Sequence, residues 1–331
     1  MRRAALLLAA LLLAGCLTPP EPAPVAPAPE EPMVQVAGAL IETELGSMEV
    51  LLYPAHAPIT VENFQTLAGA GFYDGLLWHR VIDDFVIQGG DPSGTGSLGS
   101  ERNIPLERNV SLFFSAGALG MARDVQEDSA NSQYFITETP QPHLHAPRGT
   151  TGQIFGAYAV FGQVRRAEYA PMGGLDGMAA VRALASVPTI PGADRPVEDV
   201  HMTKVTLVTL NLTAREFAQY PLRVLGPEAA GDATVVLETP GTLFADGVPV
   251  SFQWWLEPTG DVAPSVSAPR MRVTGPSGES VVPLAAHPEH ALLLTGKGLF
   301  TAPGTHTLTL EREGAEAVGF DVEVGAPTAV S

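Results

Sequence analysis

The stretch FYDGLLWHRVIDDFVIQGGD, residues 72–91, sets an arginine and a glutamine into what otherwise reads as buried strand. Val81 and Ile82 run together, Asp83 and Asp84 interrupt, and Phe85, Val86 and Ile87 resume the apolar run before Gln88 and two glycines. A half-buried strand alternates apolar and polar residues, which this stretch does only in part. The pattern predicts two short strands joined by a tight turn at the aspartates, and it leaves Arg80 and Gln88 to be explained.

Working outward, ALIETELGSMEVLLYPAHAP from Ala39 reads as a strand, a turn at Leu45-Gly46-Ser47, and a second strand with Met48, Val50 and Leu52 on one face. In APITVENFQTLAGAGFY, Thr60 is placed as an N-cap, Ile59 and Phe64 as a hydrophobic staple, and Gly69 or Gly71 as the stop. Downstream, LFFSAGALGMAR and NSQYFITETP are apolar runs separated by a polar loop from Asp124 to Asn131. YAVFGQV, from Tyr158 to Val164, is another strand, a helix is predicted over Leu175 to Ala185, and VHMTKVTLVTL closes the set. Short strands with two helices and Gly-rich turns suggest a closed barrel with helical plugs.

At 331 residues the chain is too long for one ordinary domain, and its 34 Gly and 30 Pro point to a mainly β protein with many turns. After a linker over 212–232, TVVLE, VSFQWWLE, PRMRVTG, HTLTLE and GFDVEV alternate in strand fashion, so a small immunoglobulin-like β-sandwich is predicted over 233–326. No cysteine is available there for an inter-sheet disulfide. Period two assigns Val250, Phe252, Trp254 and Leu256 to its core face. Trp255 falls on the other face, to cover a sheet edge or the other domain, or, as the lesser reading, to bind a peptide or a sugar.

The opening MRRAALLLAALLLAGC has two arginines and an apolar run too short to cross a bilayer, and residues 1–15 read as a signal peptide. Leu13-Ala14-Gly15-Cys16 resembles the lipobox of bacterial lipoproteins, in which the cysteine is lipidated and becomes the mature first residue. Cys16 is the only cysteine in the chain, so no thiol partner competes for it; the alternative is an ordinary secretory signal. Residues 16–38 then form the lipidated cysteine and a Pro-rich tether, which places the protein on the periplasmic or extracellular face of a bacterial envelope. Losing Arg2 and Arg3 with the signal takes the net charge from −18 to −20, which argues against nucleic acid and anionic membrane surfaces as partners.

FYDGLLWHRVIDDFVIQGGD, GALGMAR, NSQYFI and YAVFGQV together, in that order and spacing over about Ala39 to Leu210, resemble the cyclophilin family of peptidyl-prolyl isomerases. The resemblance implies an eight-stranded antiparallel barrel capped by two helices, with a shallow groove that binds an X-Pro segment and needs no cofactor. It implies Arg80, Phe85 and Gln88 as catalytic residues, and Val86, Met121, Ala122, Gln133, Phe135, Leu144, Tyr158 and His143 as substrate-binding ones. Three positions depart from the family's usual residues: His143 stands for a tryptophan or phenylalanine, Arg123 for an asparagine and Tyr158 for a histidine. These bear on substrate preference and cyclosporin sensitivity more than on catalysis.

The chemistry suits such residues. An X-Pro bond prefers trans by only about 0.5–1 kcal/mol but rotates over a barrier near 20 kcal/mol. No bond is made or cleaved, so no nucleophile is required. A cation that interacts more strongly with the twisted amide than with either planar form accelerates the step, and an apolar pocket for the ring strengthens that interaction by excluding water. Gln88 then holds the guanidinium or the substrate carbonyl, and Gln133 grips peptide backbone. Taken singly, each residue has a plainer reading: Arg80 paired with Asp83, Asp84 or Glu62 on a barrel rim, Phe85 and Phe135 in the core, Gln88 a satisfied strand polar.

The expected partners are proline-containing polypeptides, bound by a monomer that assists folding of exported proteins. The alternative is a non-catalytic proline-segment binder or chaperone; a third reading gives the main role to the sandwich. No metal site is expected, because His143 and His145 lack a third ligand and His287 and His290 read as loop residues.

Overall fold

The computed structural model describes residues 32–109, 112–144, 158–170, 175–260, 263–288 and 291–326. The signal peptide, Cys16 and most of the tether lie outside the described residues, as do His145 and His290.

The first part of the chain is one antiparallel sheet. Its strands are β1 (Met33–Thr43), β2 (Gly46–Leu52), β3 (Leu76–Leu77), β4 (Arg80–Ile82), β5 (Val86–Gly89), β6 (Ala118–Met121), β7 (Tyr134–Thr137), β8 (Ala159–Val164) and β9 (His201–Thr213). They hydrogen-bond in the order β3-β9-β1-β2-β8-β6-β7-β5-β4, which makes nine strands with the two-residue β3 included. The first and last strands in that order are separated in sequence by Trp78 and His79 alone, so the sheet must curl until its edges meet. Trp78 N–H bonds to Val200 and Val81 N–H to Asp194, closing the seam.

The inside of this curled sheet holds Ile41, Met48, Val50, Phe64, Tyr73, Ile87, Leu119, Tyr134, Ile136 and Phe161. The Phe64, Tyr73, Tyr134 and Phe161 rings meet edge to face, stacked or tilted, with centroids 5.3–6.3 Å apart. Alternation then sends Val86 and Phe135 to a second cluster on the opposite face, with Phe114 and Leu144.

Helix α1 (Pro58–Gly69) begins three residues before the predicted start. Thr60 is not its N-cap: Pro58, whose fixed φ suits the first helical position, starts the helix after Ala57. The free N–H groups of Ile59 and Thr60 instead donate to the Glu107 carboxylate at 3.0 and 2.7 Å. A carboxylate brought in from a distant loop was invisible to a local capping rule. Helix α2 (Gly177–Ala185) matches the predicted helix, capped by the Asp176 carboxylate, which accepts from Ala179 N–H.

The segment over 212–232, read from the sequence as a linker with a possible helical turn, consists largely of regular structure. It contains the end of β9, helix α3 (Ala214–Ala218), capped by Thr213 Oγ1, and strand β10 (Arg223–Ala230). The expected tether likewise ends early, because β1 begins at Met33 and pairs with β9 from Met33↔Thr213 onward. Both differences have one cause: this two-strand ribbon extends beyond the barrel and carries the chain directly into the second set of strands.

That set comprises β11 (Ala233–Thr239), β12 (Leu243–Phe244), β13 (Val250–Pro258), β14 (Arg270–Gly275), β15 (Gly278–Pro283), β16 (Ala285–Ala286), β17 (Leu293–Gly298), β18 (Gly304–Glu311) and β19 (Val318–Gly325). Two five-stranded sheets result, ordered β10-β11-β13-β17-β16 and β12-β19-β18-β14-β15. They share one core, in which Val235, Phe252, Trp254 and Leu256 of the first sheet meet Met271, Val273, Leu308 and Phe320 of the second. Trp255 points the other way and packs against the barrel core.

Candidate active site

Arg80 and Gln88 are directly opposed across the β4–β5 hairpin. Phe85 N–H closes the intervening turn on Ile82 at 3.2 Å, and Asp84 sits within it at φ +58°, a left-handed conformation that Asp tolerates better than most residues. That residue is clamped on both sides. Its N–H donates to Glu138 Oε2 at 2.7 Å, and its carbonyl accepts from Thr139 Oγ1 at 2.6 Å and Gln141 Nε2 at 3.0 Å. The clamp fixes Phe85, the next residue. After Gln88, the chain turns under β7 so closely that a Cβ on Gly90 would lie 2.4 Å from the Ser132 carbonyl, so only glycine fits there.

The Arg80 guanidinium lies over the Phe85 ring at 5.9 Å from its centroid and donates to Gln88 Oε1 at 3.5 Å. Its Nε is 3.4 Å from Asp194, rather than Asp83, Asp84 or Glu62. Both side chains of that pair are well exposed, so it contributes no more than about 1 kcal/mol and leaves the cation available to a ligand. Gln88 Nε2 donates to Gln133 Oε1 at 2.9 Å, and Gln133 Nε2 donates to the Gly96 and Leu98 carbonyls at 3.1 and 2.7 Å. The glutamines thus form a relay from Arg80 to a backbone loop, and Gln88 holds the guanidinium.

Beside this relay lies the apolar part. Val86, Phe135 and Leu144 are buried in one cluster, with Phe85, Ala122 and Tyr158 packed at its edge. Phe135 stacks on Phe114 at 5.6 Å and meets Tyr158 edge-on at 5.5 Å. Ala122 N–H donates to the Gln133 carbonyl at 2.9 Å. His143 stacks on Phe85 at 5.7 Å, so an aromatic surface is retained where the family's larger ring is replaced. Partial burial lowers the His143 pKa, which favours the neutral ring. Arg123 lies over the Tyr158 ring at 5.0 Å.

Of the expected site residues, Arg80, Phe85, Val86, Gln88, Ala122, Gln133, Phe135, Leu144, Tyr158 and His143 come together. Met121 does not. It is buried with Tyr134 and Phe161 inside the barrel, because alternation along β6 turns it to the face opposite Ala122. The sequence reading missed Phe114 and Asp194. Phe114 was readable only as part of an apolar run, and Asp194 is brought to Arg80 by a loop more than a hundred residues away. Among the described residues, no group of three or more His, Cys, Asp or Glu could hold a metal ion.

Comparison with known proteins places this geometry. Residues 39–207 match the family described as cyclophilin type peptidyl-prolyl cis-trans isomerase. The chain is 37% identical over 172 residues to peptidyl-prolyl cis-trans isomerase-like 1 of Neurospora crassa, covering 51% of this chain and 92% of that protein. It is 47% identical over 118 residues to peptidyl-prolyl cis-trans isomerase B of Bacillus subtilis, covering 35% of this chain and 75% of that one. A Cryptosporidium parvum cyclophilin type isomerase structure aligns at 26% identity and a TM-score of 0.44, covering 52% of this chain and 98% of that one. The chain therefore belongs to the cyclophilin type peptidyl-prolyl cis-trans isomerases, with a further pair of β-sheets following the isomerase domain.

Proposed function

We propose that Arg80 is the electrophile that accelerates rotation about X-Pro bonds, with Gln88 and Gln133 fixing its position and Val86, Phe135 and Leu144 receiving the proline ring. The observation that carries this reading is the guanidinium held between Phe85 and Gln88 beside the apolar cluster of Val86, Phe135 and Leu144. In the twisted amide the prolyl nitrogen loses conjugation and becomes an acceptor. A donor held beside it gains most at that point, and only such differential binding lowers the barrier. Phe85 walls off water beneath the cation, and His143 extends that wall.

The substrates on this reading are exported proteins, and the enzyme is held at the envelope surface by a lipid on Cys16. The support is the arginine-led apolar opening and the Leu-Ala-Gly-Cys run in a chain with no other cysteine. Two experiments separate the parts. Isomerisation of a proline-containing peptide by the full-length protein tests the chemistry, and the absence of acceleration over the spontaneous rate would refute it. Membrane fractionation of the wild type and Cys16→Ala tests the anchor. The wild type is expected in the membrane fraction and the variant in the soluble one; identical partition would refute lipidation.

A further inference from the structure

The isomerase domain and the second β domain are joined by charges shielded from water. Arg166, which follows β8, is 2% exposed, and its guanidinium lies 2.6 Å from Glu238 Oε1 on β11, which is 0% exposed. The same guanidinium holds Glu168 at 2.8 Å and donates to the Ala116 carbonyl at 2.9 Å. Glu238 Oε2 accepts from Ala116 N–H at 2.8 Å. Both backbone polar groups of one residue are thus gripped by a single ion pair. Burial opposes the charge on Arg166, but Glu238 and Glu168 outweigh it and keep the guanidinium protonated. A buried pair of this kind adds little stability over an apolar pair of the same shape, so stability alone does not account for it.

Ala116 lies two residues beyond Phe114, and Phe114 meets one wall of the groove directly and is linked to two more through Gln141. Its ring stacks on Phe135. Its carbonyl accepts from Gln141 N–H at 2.7 Å, and the Gln141 carbonyl accepts from Leu144 N–H at 3.1 Å. The Gln141 side chain in turn holds Asp84, the residue before Phe85. The barrel grips this segment too: Thr137 Oγ1 donates to the Ser115 carbonyl at 2.6 Å and Gln163 Nε2 to the Ala116 carbonyl at 2.7 Å. The N–H side of Ala116 is held from the second domain.

We propose that Glu238 is a positioning residue for the isomerase groove: by fixing Ala116 N–H it sets Phe114, and through Phe114 it sets Phe135 and Leu144 relative to Arg80. This rests on the reading of the groove as the X-Pro site. It gives the second domain a defined part in catalysis rather than a spacer's role.

Two full-length double variants test it. Arg166→Met with Glu238→Gln removes both charges but keeps a side-chain carbonyl for Ala116 N–H. Arg166→Met with Glu238→Leu removes the charges and the acceptor. Each is measured for kcat and KM on an X-Pro peptide, for melting temperature, and by NMR for Phe135 and Leu144 side-chain shifts. The Gln variant is expected within about twofold of wild type in kcat/KM. The Leu variant is expected to lose about tenfold, mostly in kcat, with displaced Phe135 and Leu144 signals. Equal kinetics and unmoved signals in both variants would overturn the proposal, as would equal losses in both that track melting temperature. The NMR contrast does not depend on turnover, so a wild type that isomerises nothing would refute the reading of the groove while the contrast still decides the role of Glu238.

Discussion

Arg80 and Gln88 occupy opposed positions on adjacent strands, and the glutamine carbonyl faces the guanidinium at 3.5 Å while its amide is tied to Gln133. The cation is therefore oriented by a neutral partner that cannot neutralise it. Replacing Gln88 with Leu keeps the strand but frees Arg80 to swing toward Asp194. The expected result is a loss of about tenfold in kcat/KM, equivalent to about 1.4 kcal/mol, with a melting temperature near that of wild type. Unchanged kinetics would show that the relay does not orient the arginine.

The groove floor can be raised without substituting any substrate-facing residue. A Cβ on Gly120 would lie 2.3 Å from Phe135 Cζ and 2.7 Å from Phe114 Cε1. Gly120→Ala must push the stacked pair outward, into the space assigned to the proline ring. Peptide affinity should fall by tenfold or more, read as a raised KM or as weaker titration shifts. Wild-type affinity would place the ring elsewhere.

Burial, together with repulsion from Asp83 and Asp84, raises the pKa of the Glu138 carboxyl to about 7, against the Asp84 N–H bond that lowers it. A carboxyl raised in the folded state binds its proton more tightly there than in the unfolded chain. Its contribution is therefore full below about pH 4.5 and is lost as pH climbs through about 7. Glu138→Gln keeps an acceptor for Asp84 and carries no charge. The variant should melt higher than wild type at pH 8 and close to it at pH 5; a difference that does not change with pH would contradict this assignment.

The cap on α1 gives a local test of the fold. Glu107→Gln weakens, and Glu107→Ala removes, the acceptor for Ile59, Thr60 and the Thr60 hydroxyl. The Ala variant should cost about 1–2 kcal/mol by denaturant unfolding, with kcat near wild type because α1 sends Val61, Phe64 and Ala68 into the barrel interior and carries none of the groove residues.

What the sequence disclosed was set by how local the physics is. Alternation alone placed Val250, Phe252, Trp254 and Leu256 in the second core, and the Asp83-Asp84 break located the hairpin that opposes Arg80 to Gln88. The groove residues were legible because their order along the chain resembles a family, a signal carried by the combination rather than by any one residue. Met121, which the same resemblance implies beside Ala122, lies in the barrel core, as period two along the strand separates the two residues. The Glu107 cap, the Asp194 partner of Arg80 and the Glu238 clamp on Ala116 each join residues 47 or more positions apart. Local pattern carries no record of such pairings. The continuous ribbon of β1 with β9 was hidden for the same reason, since Pro and Ala around Met33 read as tether until the partner strand is known.

The central claim is that a fixed cation beside the apolar cluster stabilises the twisted X-Pro bond. Its most direct test is the isomerisation rate of one X-Pro peptide with wild type, Arg80→Lys and Arg80→Ala, each shown by circular dichroism to be folded. Arg80→Ala is predicted to lose about 10²–10³-fold in kcat/KM, with Arg80→Lys between it and wild type. Equal rates for wild type and Arg80→Ala would contradict the account.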